Sequence, residues 1–84
     1  MSKYYEEVIT TVLDEIVETI ELLKAGRARS AYGMYLDFAG DVKKLNSRDY
    51  DTACALFWRG IEDAGFELYC RNDLRNHAGF QLAW

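Results

Sequence analysis

In the first two dozen residues, Tyr5, Ile9, Val12, Leu13, Ile16, Ile20 and Leu23 recur at three- and four-residue steps. A chain can bury such a set together only as a helix, because side chains return to one side every 3.6 residues. Ser2 is expected to cap its start, Glu6 and Glu7 suit the positive end of the helix dipole, and Ala25-Gly26 supply a stop. The first helix is therefore predicted over about 3–25.

The same spacing returns in Ala31, Tyr35, Phe38, Val42 and Leu45 and predicts a second helix over about 29–45. Gly33 and Gly40 oppose it, each costing about 1 kcal/mol relative to alanine inside a helix. They share a face opposite the apolar stripe. Either another backbone approaches closely there, or the stretch SAYGMYLDF is a strand, since Tyr32, Met34, Leu36 and Phe38 also alternate. Helix is the expectation, because the longer period accounts for more residues.

Asn46 or Ser47 is placed to cap a third helix over about 47–64, whose stripe is Tyr50, Ala53, Cys54, Phe57, Trp58, Ile61 and Ala64 and whose end is Gly65. Residues 66–84 read two ways. Phe66, Leu68 and Cys70 alternate, as do Phe80, Leu82 and Trp84, which describes a hairpin; Phe66, Cys70, Leu74 and Ala78 equally fit a helix. Asn72, Asp73 and Asn76 are weak helix formers and tilt the expectation towards an extended or hairpin-like segment that docks through Phe80, Leu82 and Trp84. The expected fold is thus mainly α, a bundle of three amphipathic helices closed by that segment. The alternative is an α+β fold with a small antiparallel sheet.

Eighty-four residues suit a single domain, 1–84, with one core that buries about 60% of the unfolded chain's surface. Glutamates at 6 and 7 interrupt the start where a signal peptide needs an apolar run, and no stretch approaches the roughly 18 apolar residues of a membrane span. The expectation is a cytoplasmic protein that does not engage a membrane. Cys54 and Cys70 are too few for a secreted disulfide scaffold and read as packed thiols.

Reactive chemistry finds little support. Two cysteines sixteen apart and the lone His77 do not make the closely spaced ligand pairs of a structural zinc site. A thiol nucleophile needs its base within hydrogen-bond reach, whereas Cys70 and His77 on one helix would stand about 10 Å apart at 1.5 Å per residue. The sequence DEIVE, Asp14 to Glu18, resembles one half of the paired-carboxylate helices that hold magnesium in all-helical nucleotide pyrophosphohydrolases. That resemblance covers three acidic residues and implies an acidic pair on another helix, for which Asp37 and Asp41 have the spacing. The reading adopted is non-enzymatic, with no cofactor, no metal and no catalytic residue.

Charge is where the sequence departs from an ordinary small domain. Residues 1–24 hold Glu6, Glu7, Asp14, Glu15, Glu18 and Glu21 against Lys3 and Lys24, and the remaining acids and bases cancel, so the whole net charge of −4 belongs to the first helix. Projected at 100° per residue, Glu7, Asp14, Glu18 and Glu21 form a continuous stripe opposite the apolar face. Asp14–Glu18 and Glu18–Glu21 are like-charge neighbours, and Glu18 and Glu21 also approach the negative end of the dipole, so local stability does not explain them. Arg27, Arg29, Arg48 or Arg59 could neutralise the stripe from within the fold. Otherwise the stripe is a solvated face that aids solubility or a docking surface for a basic protein. Direct nucleic-acid binding is not expected, since Arg71 and Arg75 are a thin footprint on an acidic chain.

In size and charge the chain resembles the small acidic inhibitors that phages and mobile elements direct against host nucleic-acid machinery, including anti-restriction and anti-CRISPR proteins. The resemblance implies a partner whose basic surface ordinarily binds nucleic acid. The alternative is a structural module that forms a homodimer. Leu22, Leu36 and Leu56 fall off the main stripe of their helices and, with Tyr4, Tyr32 and Tyr69, would supply its apolar interface.

Overall fold

The computed structural model describes residues 3–82, with the side chain of Leu82 outside that description. Four helices follow one another: α1 (Lys3–Lys24), α2 (Ala28–Val42), α3 (Ser47–Asp63) and α4 (Arg71–Leu82). The first three match the expected spans to within about three residues at each end; the fourth replaces the expected hairpin. No strand occurs among the described residues, so neither the hairpin nor the antiparallel sheet is present.

Two glycines set the punctuation. Gly26 and Gly65 have φ of 77° and 94°, the left-handed region open to a residue without Cβ. After α1, Arg27 N–H donates to the Leu22 carbonyl at 2.9 Å and Gly26 N–H to that of Leu23 at 3.1 Å; after α3, Phe66 and Gly65 repeat this on Ile61 and Glu62. Both helices thus end in the same glycine-dependent motif, which satisfies their last carbonyls and reverses the chain. Asn46 caps α3, its side chain accepting the Asp49 N–H at 2.8 Å. The Ser2 cap expected for α1 lies outside the described residues.

α2 returns antiparallel along α1, and α3 returns along α2. Their shared core is Val12, Ile16 and Leu23 from α1, Ala31, Phe38 and Val42 from α2, and Ala53, Phe57 and Ile61 from α3. Its centre is aromatic: Phe38 and Phe57 stack at 4.8 Å between centroids, and Trp58 meets the Phe57 ring edge-on at 4.7 Å, geometries favoured by the ring quadrupoles. Cys54 is half-buried against this cluster, and burial pushes its thiol above the usual cysteine range.

α1 and α3 run in the same direction. Near their starts Tyr5 meets Asp49, and near their ends Ile20 lies over Gly60, where an added Cβ would stand 2.5 Å from Ile20 Cδ1. The close approach that glycine permits is therefore at Gly60. Gly33 and Gly40 face open space on the outer side of α2, contrary to both explanations offered for them.

α4 forms despite its weak helix formers because their placement suits a helix start. Asp73, in the first turn, accepts the Tyr69 N–H at 3.0 Å, reaching back past the N-terminus as a capping-box carboxylate does. Leu74 and Ala78, four apart, are buried, and α4 packs on α2. Their helical period outweighs the alternation that suggested a hairpin. Phe80, expected to pack, is 60% exposed; Trp84 lies outside the described residues.

Candidate functional site

Glu7, Asp14, Glu18 and Glu21 all lie exposed along the outer face of α1. The helix presents them there because its core face is fixed by Val12, Ile16 and Leu23 on the opposite side. Arg27, Arg29, Arg48 and Arg59 are also exposed, and none pairs with the ridge; among the described residues the ion pair within 4.0 Å is Lys44–Asp41, at 3.1 Å.

Beside the ridge, on the side of α1 turned to α3, stand exposed apolar residues. Leu13 is 44% exposed, Val17 59%, and Leu56 on α3 48%. Leu13 and Leu56 are the lips of a cleft of about 110 Å³ floored by Ile9, Val12, Leu45 and Ala53, with Asp49 and Thr52 at its polar end. Leu13 has the spacing of the core stripe and yet lies exposed, and Val17 falls outside that stripe. The available signal was the width of the apolar arc of α1, which is more than one neighbouring helix can cover.

The three leucines assigned to an apolar interface do not share a site. Leu22 is half-buried against the core, Leu36 is exposed on the outer face of α2, and only Leu56 borders the cleft. Tyr4 and Tyr69 are exposed, whereas Tyr32 stacks on Tyr35 at 6.2 Å.

One acidic residue leaves the ridge. Glu15 is only 9% exposed, held between α1 and α2 near Asp41 and Asp37, and its Oε1 has no hydrogen-bond partner. Burial, then the hydrogen bond and negative charge of Asp41, push its carboxyl up to about 7. Asp41 moves the other way, lowered first by its hydrogen bond to Lys44 and then by the Glu15 hydroxyl. Of the three acids in DEIVE, Asp14 and Glu18 are exposed and only Glu15 faces α2, its carboxyl raised beside Asp41. Among the described residues no group of three or more histidine, cysteine or acidic side chains is placed to hold a metal ion.

A second cleft, of about 150 Å³, opens between α2, α3 and Arg71 and is walled by Tyr35, Tyr50 and Trp58. Burial raises both the Tyr35 phenol and the Cys54 thiol at its wall, which leaves both protonated and weakly nucleophilic at neutral pH. Cys70 precedes α4 and is exposed, while His77 lies two turns along that helix against the Phe66 ring, at 5.9 Å between centroids. Seven residues of helix separate thiol and imidazole by about 10 Å, beyond proton-transfer reach.

Comparison with protein-family models, with curated proteins and with solved structures yields no match to this chain. Fold and surface together define a small four-helix domain with an acidic ridge, an apolar shoulder beside it, and no helix among the described residues long and apolar enough to cross a membrane.

Proposed function

We propose that this protein is a non-enzymatic binding protein that docks the outer face of α1 onto a basic surface of another macromolecule and occludes it. The target class is a protein whose cationic surface ordinarily holds nucleic acid, as on a restriction or CRISPR complex, which would make this chain an inhibitor of the kind phages and mobile elements carry. The carrying observation is that Glu7, Asp14, Glu18 and Glu21 stand exposed with no cation among the described residues within ion-pairing distance. Such a row costs the helix like-charge repulsion and has an unfavourable relation to its dipole, so an electrostatic role outside the fold accounts for it better than stability does.

Affinity capture with the tagged protein from its native host, washed at low and high salt, tests the reading. The expected result is a nucleic-acid-binding protein that is retained at low salt, released at high salt, and displaced by added duplex DNA or RNA. Capture insensitive to both salt and nucleic acid would overturn it.

A further inference from the structure

We infer that the cleft between α1 and α3 seats one apolar side chain of a cationic amphipathic helix, so that the partner's basic surface is a helix with an apolar stripe bordered by lysine or arginine. The inference rests on the ridge reading above and specifies its partner.

The cleft is of a size for a single branched aliphatic side chain: about 110 Å³, against the roughly 150 Å³ of a cavity that admits benzene. Its lips, Leu13 and Leu56, are exposed, and Val17, one turn along α1 from Leu13, carries apolar surface on to the anionic ridge, where it lies among Asp14, Glu18 and Glu21. At about 100° per residue, Val17 lies about 40° round α1 from Leu13, and Glu21, Asp14, Glu7 and Glu18 follow within a further 100° or so. A helix laid along this surface would therefore present its apolar anchors to the cleft and its adjoining turn to the carboxylates, the mode by which amphipathic helices occupy grooves.

Charge selects between a foreign helix and a second copy of this chain. α1 carries six acids against Lys3 and Lys24, net −4, and α3 carries Asp49, Asp51, Glu62 and Asp63 against Arg48 and Arg59, net −2. The two helices that form the cleft are thus both anionic, and Asp49 is the one charged residue in its lining. Two copies meeting through this face would bring like charges together, whereas a cationic helix finds complementary charge there.

Two probe peptides of equal length and charge separate the claims: an amphipathic helix of leucine and lysine, and the same sequence with serine for every leucine. Binding is measured by calorimetry for the wild type, L13S/L56S and E18K/E21K. The Leu/Lys peptide is expected to bind wild type at least tenfold more tightly than the Ser/Lys peptide. That preference should vanish in L13S/L56S while Ser/Lys binding persists, and both should weaken in E18K/E21K. Equal binding of the two peptides, or a preference that survives in L13S/L56S, overturns the cleft while leaving the ridge in place. Failure of both peptides to bind overturns the ridge as well. Methyl chemical shifts of wild-type Leu13, Val17 and Leu56 give a readout that needs no variant: they should move with the Leu/Lys peptide and not with the Ser/Lys peptide, and the reverse contradicts the proposal.

Discussion

The Tyr5 hydroxyl donates to Asp49 Oδ2 at 2.6 Å and accepts the Asn46 N–H at 3.1 Å, fastening the first turn of α1 to the start of α3 across more than forty residues of sequence. Asn46 in turn caps α3 through the Asp49 N–H, so one phenol joins a helix cap to a neighbouring helix. Tyr5→Phe keeps the ring and removes both bonds. A lower melting temperature with unchanged helical content by circular dichroism is expected. The hydrogen bond to Asp49 also holds the Tyr5 phenol above its ordinary value, as the surroundings of Tyr35 and Tyr50 do theirs, so tyrosinate absorbance should show several late-titrating groups, one of which Tyr5→Phe removes.

Glu15 gives the fold a pH dependence opposite to that of a salt-bridged carboxylate. Its carboxyl is raised from 4.5 to about 7, so the folded chain holds that proton to higher pH than the unfolded chain, and stability falls as pH rises between those values. Above that window the cost of the ionised, buried Glu15 is on the order of 1–3 kcal/mol. Asp41, lowered from 3.8, acts below the window, its contribution being lost as the medium becomes strongly acidic. Glu15→Gln keeps the shape and supplies a donor to Asp41. Urea unfolding should find it more stable than wild type at pH 8 and about equal at pH 5; an equal difference at both would remove the titration from the explanation.

The helical glycines divide by what stands before them. Gly33 and Gly40 have nothing within 4 Å of a would-be Cβ, so alanine at each should stabilise the protein by about 1 kcal/mol, additively. Gly60→Ala gains the same propensity but must displace Ile20 Cδ1, the end of a side chain that can rotate. Its net gain should be smaller than at Gly33, and Ile20→Val should restore part of the difference. Chemical denaturation of the four variants checks this ordering.

Attachment of α4 rests on Leu74 and Ala78. Leu74 is fully buried, so Leu74→Ala should cost about 2–5 kcal/mol. Phe80→Ala, at a mostly exposed ring, should cost clearly less. Faster amide exchange of residues 71–82 in Leu74→Ala, with α1 to α3 still protected at early times, would identify α4 as the element released first.

Helices α1 to α3 were legible because each carries a stripe of three or more large apolar residues and a glycine or asparagine at its ends. α4 was not, since only Leu74 and Ala78 mark its buried side, and its capping carboxylate, Asp73, counts against a helix on propensity alone. The ridge residues were legible by projection, as four carboxylates opposite a wide apolar arc must face outward. Their freedom from arginine was not, because it depends on where helices not adjacent in sequence direct their side chains. Glu15 and the Leu13–Leu56 cleft were hidden for a related reason: both lie at the margins of the apolar arc, where only the positions of α2 and α3 determine whether a residue is covered.

Glu18 and Glu21 bring the account to one paired measurement, the melting temperature and the salt-sensitive partner capture of E18K/E21K. Relief of like-charge neighbours and of the unfavourable dipole end predicts a melting temperature equal to or above wild type. Loss of the anionic ridge predicts that the captured protein is no longer retained at low salt. A variant that melts lower and still retains its partner would contradict the account, since those carboxylates would then serve the fold and not the interface.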